Sequence, residues 1–309
     1  MSPHTATPGF DFATASYSGQ TILRPDASQI FTNRAQRFRH LAEHHALADW
    51  LHYLGHLTQR QHEMMATLSN LPLPDTTVLE PARRHGMPPL NAASLLRPDA
   101  WRTTLQHLID GLIADSPALA QERLRALREA PQQRLESLAA ALLKGHPAPS
   151  DLPDLPLIAA ALQAVWTAWA ARIDPTSLTL LDTPEVCPCC GSLPVTSIVR
   201  TATDTTQINN LRYLHCSLCN TEWNLPRAVC TVCANDKRIS YQQIDGSNGC
   251  VRAECCDACH SYLKLLMQEQ DAGVDPVADD LATLALDLLV DEAGYSRSGP
   301  NLLLLGGAG

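Results

Sequence analysis

Cysteine is missing from the first 186 residues of this 309-residue chain, and all eleven cysteines lie between Cys187 and Cys259. A disulfide scaffold usually spreads its cysteines through a short secreted chain. Confinement to one block of a long chain points instead to metal ligation. Met1 to Pro25 lacks the basic start and apolar core of a secretory signal, so a cytosolic chain is expected. Long hydrophobic runs are missing too. The longest, Leu157 to Ala171, is interrupted by Gln163 and is short for a bilayer span, so it reads as a buried core helix and no membrane association is expected. Aromatic residues are scarce at 5%, and the apolar 45% is mostly Leu and Ala, a mixture that favours helices. Positive charge does not dominate: the net charge is -9, which argues against a nucleic-acid partner. There is no Walker loop, Rossmann glycine pattern or G-x-S-x-G, and His62-Glu63 is not followed by the second His of a zinc-protease motif.

What is present falls into two compositions. Residues 1–30 look irregular, with scattered Ser, Thr, Gly and Pro. Phe31 to Leu68 has a helical pattern, with Phe38, Leu41, Leu47, Leu51, Leu54 and Leu57 on or near one face. Pro72, Pro74, Pro81, Pro88, Pro89 and Pro98 then predict an extended connection over the surface. Helical patterns return over Asp99 to Ala114, Pro117 to Leu143 and Leu157 to Ile173. After Pro184, paired cysteines alternate with β-prone runs: Thr196 to Thr201, Leu211 to Leu214 and Ile239 to Ile244. A last helix is predicted with Asp275 as cap, Pro276 in the first turn, and Asp279 and Asp280 near the positive end of its dipole. Val277, Leu281, Leu284 and Leu288 form its apolar stripe. Leu302 to Leu305 is either docked or part of a partner surface.

Four C-x-x-C pairs carry the chemistry: Cys187/Cys190, Cys216/Cys219, Cys230/Cys233 and Cys256/Cys259. Two intervening residues let a tight turn aim both sulfurs at one ion, and two such knuckles complete a tetrahedral four-sulfur site. The spacing shows a duplication. Cys187 to Cys230 and Cys190 to Cys233 are each 43 positions, while Cys216 to Cys256 and Cys219 to Cys259 are each 40. Leu211-Arg212 matches Val251-Arg252, and Thr221 matches Ser261. Each repeat is thus a knuckle, a hairpin's worth of residues and a second knuckle, the layout of a zinc ribbon or rubredoxin. Cys187, Cys190, Cys216 and Cys219 are expected to form site 1, and Cys230, Cys233, Cys256 and Cys259 site 2. A crossed arrangement, with the first and third pairs sharing an ion, stays open. The leftover Cys189, Cys250 and Cys255 read as small buried or partly exposed residues.

Tetrahedral sulfur suits zinc and iron equally. Cys187-Pro188-Cys189-Cys190-Gly191 resembles the first knuckle of rubredoxin, whereas Asn220, Ala234 and His260 replace that glycine in the other knuckles. His52 and His56 are spaced i, i+4 but lack an acidic or cysteine partner, so they read as a solvated face, as do His40, His44 and His45. Trp223 and Tyr213 have the chemistry to stack on a base. However, residues 180–265 hold seven Lys/Arg against eight Asp/Glu, and each four-thiolate site adds about -2 with a divalent ion. Core or protein-contact roles fit these aromatics better.

One set of strings comprises Cys187-Pro188-Cys189-Cys190-Gly191-Ser192, Leu211 to Cys219, Thr221-Glu222-Trp223 and Cys230-Thr231-Val232-Cys233. It continues in Cys256 to Cys259 with Tyr262-Leu263-Lys264, in Ala278-Asp279-Asp280-Leu281-Ala282 and in Gly294 to Ser298. In combination these strings resemble the FdhE family of formate dehydrogenase accessory proteins. The resemblance implies a cytoplasmic, non-catalytic factor that binds the molybdenum-containing catalytic subunit of formate dehydrogenase before its export. It also implies iron in rubredoxin-like sites held by the eight paired cysteines. It assigns no role to Cys189, Cys250 or Cys255.

The fold expected is a mainly α N-terminal domain plus a small β-rich C-terminal module of two tandem rubredoxin- or zinc-ribbon-like knuckle repeats, closed by a C-terminal helix. Its divisions are an irregular segment at 1–30, a helical domain at 31–183, ribbon repeats at 184–226 and 227–268, and a helix with tail at 269–309. Three functions are weighed. The first is the assembly factor just described, with iron, or zinc as the alternative. The second is an iron-dependent redox factor acting on a partner enzyme. The third is a zinc-ribbon nucleic-acid binder, which the acidic composition disfavours.

Overall fold

A computed structural model of the chain describes residues 21–201 and 210–304. Its helical part contains α1 (Ile30–Ala42), α2 (Ala48–Leu68), α3 (Thr76–Arg84), α4 (Ala100–Leu112), α5 (Ala118–Arg128), α6 (Gln132–Leu143) and α7 (Leu155–Arg172). The apolar run is the central helix. Every residue of α7 from Leu157 to Ala170 is buried, and α2, α4 and α6 pack around it. A helix apolar on all sides is stable in water only when enclosed in this way. No helix among the described residues is long and apolar enough to cross a membrane.

Three expectations for this part of the chain change, two of them where a local break divides a helix. The Phe31–Leu68 pattern is two helices, separated by a turn in which His44 takes a left-handed φ of 62°. The break leaves Leu47 40% exposed rather than on the buried face. The Pro117–Leu143 pattern splits before α6 at Pro131, whose ring and missing N–H end the preceding helix. The proline-rich connection is not wholly extended. Asp75 accepts from the Thr77 backbone N–H at 2.8 Å and starts α3, which tolerates Pro81 because none of its residues is buried.

The remaining strands are β1 (Ile22–Leu23), β2 (Pro194–Arg200), β3 (Leu211–Cys216), β4 (Glu222–Asn224), β5 (Ile239–Gln242), β6 (Val251–Cys256), β7 (Ser261–Met267) and β8 (Ser296–Arg297). They form one sheet in the order β1-β4-β3-β2-β7-β6-β5, with β8 parallel to the start of β7. Each repeat contributes an antiparallel trio, β2-β3-β4 and β5-β6-β7. The trios join through parallel pairing of Ser197, Ile198 and Val199 with Leu265, Leu266 and Met267. The N-terminal segment caps the far end: Ile22 pairs with Trp223 and Leu23 with Glu222. The rest of that segment, residues 1–20, lies outside the described residues.

The last helix is also two, α8 (Ala278–Ala282) and α9 (Leu284–Glu292), broken at Thr283. Asp275 does cap it, accepting from the N–H groups of Val277 and Ala278 at 2.9 and 2.8 Å. The break rotates the buried face, so Leu288 is 65% exposed while Leu286 and Val290 are buried. Asp280 is buried against Lys264 at 3.2 Å and Arg297 at 2.8 Å, which locks α8 and β8 onto β7. Leu302 and Leu303 are docked in the core, and Leu305 lies outside the described residues.

Candidate metal centres

The four knuckles share one backbone design. The first cysteine's N–H closes the loop on the carbonyl five residues ahead: Cys187 on Ser192, Cys216 on Thr221 and Cys230 on Asn235, each at 2.9 Å. The residue after the second cysteine is left-handed in every case, with φ of 77° at Gly191, 58° at Asn220, 56° at Ala234 and 55° at His260. The turn demands that conformation whether or not glycine supplies it. Backbone N–H groups then face sulfur, from Cys189 to Cys187, Leu218 and Cys219 to Cys216, and Val232 to Cys230, all at 3.4 Å.

These turns gather the eight sulfurs into two groups, Cys187/Cys190/Cys216/Cys219 and Cys230/Cys233/Cys256/Cys259, with all four sulfurs of each within 4.8 Å of one another. The crossed pairing does not occur. The close contacts are Cys187–Cys219 at 3.6 Å and Cys190–Cys216 at 3.4 Å in the first group. In the second they are Cys230–Cys259 and Cys233–Cys256, both at 3.6 Å. A disulfide would need roughly 2 Å. A tetrahedron with ~2.3 Å metal–sulfur bonds has edges of about 3.8 Å. The donor sets therefore fit a four-coordinate, thiophilic ion.

Protonation in the first group agrees with that chemistry. Burial first, then the neighbouring thiols, push Cys187 well up, and burial does the same to Cys216. Burial also acts against Cys219, but the thiols of Cys187, Cys189, Cys190 and Cys216 outweigh it and hold Cys219 well below the usual thiol range. A cation shared by the four sulfurs would favour their thiolate forms in so small and dry a space. The duplicated hydroxyl has a role here: Thr221 Oγ1 lies 3.2 Å from Cys219 Sγ, and Ser261 Oγ lies 3.0 Å from Cys259 Sγ.

The two groups differ in setting. The first is enclosed, with exposures between 0 and 1%. Gln163 Nε2 of α7 donates to Ser217 O at 2.7 Å, and Asn220 Nδ2 donates to Thr167 Oγ1 at 2.8 Å. The proline-rich connection grips the other knuckle, where the N–H groups of Leu90 and Ala92 donate to Cys189 O and Cys190 O at 2.9 Å. The second group lies open, with Cys233 exposed, Cys259 half-buried and Val232 52% exposed.

A buried polar relay supports the enclosed group. Arg34 Nε donates to Asp275 Oδ1 and its Nη2 to Asn220 Oδ1, both at 2.9 Å. Asn220 Oδ1 also faces His215 Nε2 at 3.0 Å, and His215 Nδ1 faces Glu222 Oε1 at 2.8 Å. Arg200 clamps Glu222 from the other side, its Nε 3.0 Å from Oε2. Sequence reasoning did not single out Gln163, Thr167, Arg34 or His215 for this support. The only signal was polar side chains at 163 and 167, one turn apart in an apolar run.

The leftover Cys189 and Cys255 are fully buried and Cys250 is 8% exposed, and none of the three belongs to either four-sulfur group. Trp223 and Tyr213 are buried in the sheet and offer no face to a base. His52 and His56 are exposed.

Comparison with known proteins covers nearly the whole chain. It matches the FdhE family in three consecutive parts: the N-terminal region over 20–182, the central domain over 186–227 and the C-terminal domain over 228–304. An FdhE homologue of Stutzerimonas stutzeri is 37% identical over 307 residues, 97% of each chain. One of Edwardsiella ictaluri is 36% identical over 287 residues, covering 93% of this chain and 92% of that one. The crystal structure of the FdhE protein from Pseudomonas aeruginosa superposes with a TM-score of 0.80 at 35% identity, over 94% of this chain and all of that one.

Proposed function

The chain belongs to the FdhE family, and from that premise we propose that it is a non-catalytic accessory factor for formate dehydrogenase. It acts in the cytoplasm, binds the catalytic subunit before export, and carries a metal ion in each four-cysteine group. The observation that carries this reading is the pair of four-sulfur clusters on a chain that matches the family from end to end. In one site Cys187, Cys190, Cys216 and Cys219 are the ligands. In the other they are Cys230, Cys233, Cys256 and Cys259. Iron is the metal the family reading favours, with zinc as the alternative. Iron bound there supplies a one-electron couple, whereas zinc supplies structure alone.

The chain's own residues contribute position and binding. The enclosed cluster ties α7 and the proline-rich connection to the sheet, through Gln163–Ser217, Thr167–Asn220 and Leu90–Cys189. Metal bound there joins the two halves of the molecule, because metal-binding energy in such modules is folding energy. The test is capture of the formate dehydrogenase catalytic subunit by metal-loaded chain from its native host, with metal content measured on the same sample. Capture with about two ions per chain is expected. Absence of capture at full metal loading overturns the client.

A second reading, an iron-dependent redox factor acting on the partner enzyme, is favoured by the exposure of Cys233 and Val232 at the open site. Electron exchange needs such access. Reversible reduction of iron with the fold intact supports it, and zinc in natively purified chain ends it.

A further inference from the structure

The tandem repeat leaves one end of the sheet unfinished. Ser197 and Ile198 of β2 pair with Leu214 and Tyr213, while Tyr241 and Gln242 of β5 pair with Glu254 and Ala253, forty residues further on. Thus β5 is the structural counterpart of β2. The outer edge of β2 is occupied, since β7 lies along it in parallel at Ser197, Ile198 and Val199. The outer edge of β5 carries no strand among the described residues. At the opposite end β4, the counterpart of β7, is already covered by β1. A second copy therefore cannot complete β5 by offering its own β4. An edge with unpaired N–H and C=O groups is a template for an incoming extended chain.

The adjoining face says what kind of chain. A cavity of about 210 Å³ opens beside Tyr241, lined by Arg212, Arg227, Arg252 and Glu254 over an apolar floor of Val199 and Leu265. Three arginines against one carboxylate is a positive concentration in a chain of net charge -9. Arg212 is 1% exposed and incompletely used. Its Nη1 donates to Val229 O at 2.9 Å, its Nη2 is 2.7 Å from Glu254 Oε1 without hydrogen-bond alignment, and its Nε has no hydrogen-bond partner. Arg227 is exposed and free to meet a ligand. The opposite face of this end of the sheet is apolar, with Ile198, Ala253, Tyr262 and Leu266 in one cluster.

We propose that β5 and the arginine-lined cavity form a docking site for an extended acidic segment of a partner protein. The segment adds as a parallel strand along Ser240–Gln242, as β7 does along β2. Its carboxylates enter the cavity toward Arg212, Arg227 and Arg252, and its alternate apolar side chains continue the opposite face. That the occupant is a protein segment rests on the partner-binding reading above; the surface itself does not.

The probe is a fluorescein-labelled peptide of about ten alternating Val and Glu residues, a usual strand length, titrated onto the full metal-loaded chain by anisotropy. Saturable binding is expected. The same peptide N-methylated at alternate amides, and its Val–Lys counterpart, should bind at least tenfold more weakly. Arg227→Glu combined with Arg252→Glu should weaken the Val–Glu peptide at least tenfold, with circular dichroism and metal content unchanged. Arg227→Glu alone, on an exposed side chain, gives the same test if the double variant folds poorly. No saturable binding, equal binding of the Val–Lys or N-methylated peptide, or no effect of Arg227→Glu overturns the proposal. So does saturable binding of inorganic phosphate where the peptide does not bind, which makes the cavity a small-anion site. Self-association in sedimentation that Arg227→Glu abolishes would give the edge to a second copy and overturn it too. Peptide binding without capture of the formate dehydrogenase subunit supports the surface and removes only the client.

Discussion

Gln163 reaches from the middle of the buried helix α7 to the backbone of Ser217, inside the knuckle that holds Cys216 and Cys219, with Nε2 2.7 Å from the carbonyl. Its Oε1 accepts from Gln61 Nε2 at 3.2 Å, so the amide is satisfied at both ends in a setting where water cannot substitute. An unpaired buried carbonyl costs about 1–3 kcal/mol. Gln163→Leu is therefore expected to lower unfolding stability by about 2 kcal/mol and to speed metal loss from the enclosed site. Denaturant titration and ion release read the two effects. Wild-type values in both would remove the link between helix and knuckle.

The unequal burial of the two clusters predicts unequal lability. A chelator approaches Cys233 directly, whereas Cys187, Cys190, Cys216 and Cys219 release their ion only when α7 and the sheet part. Release into a chromophoric chelator should be biphasic, with one equivalent fast and one slow. Cys233→Ser should abolish the fast phase and spare the slow one. A single phase releasing both ions would show that burial does not set the rate.

Much of the candidate site was legible because its signals are local. The C-x-x-C spacing names the eight sulfurs and the 43/40 offsets favour their grouping, with the crossed pairing left for the sulfur geometry to decide. The support around them was not legible, because it is long-range. Arg34 and Asp275 are separated by 241 positions, and Leu90 meets Cys189 through backbone atoms that carry no residue signature. The helical domain was legible as periodicity, but its breaks were not. Nothing about His44 or Thr283 announces a turn, and the packing at those points overrides the pattern. Joining the two repeats through β2 and β7 is likewise a tertiary choice, since neither strand's alternation reveals which neighbour it takes.

The left-handed turn after each second cysteine can be tested at two positions. A Cβ at Gly191 would meet only Pro88 and Asn91, at 3.5 Å and beyond, which is ordinary contact. The cost of Gly191→Ala is thus conformational, about 1–2 kcal/mol for an L-residue held left-handed. Ala234 already bears that cost at φ 56° on an exposed turn. Ala234→Gly should recover up to about 1 kcal/mol, reduced by the greater freedom of glycine in the unfolded chain. Opposite signs for the two substitutions, read in thermal unfolding of metal-loaded chain, are the expected result.

Glu222 makes the relay pH-dependent in a stated direction. Burial alone would raise its carboxyl, but Arg200 and His215 overcome that and hold it down at about 2, below an ordinary glutamate at 4.5. A carboxylate with a depressed folded-state pKa adds stability that is fully present above the unfolded value and is lost as pH falls through the folded one. The window here runs from about 4.5 down to about 2, and the contribution is on the order of 3 kcal/mol at neutral pH. Glu222→Gln should be less stable than wild type at pH 7, and the gap should close as pH falls through that window. Acid also releases metal by protonating thiolates, but it does so in both proteins, so the difference between them isolates the carboxylate. A gap constant from pH 7 to 3 would mean that Glu222 serves β4 by packing and not by charge. In that case the clamp between Arg200 and His215 would hold the knuckle equally well with a neutral side chain at its centre.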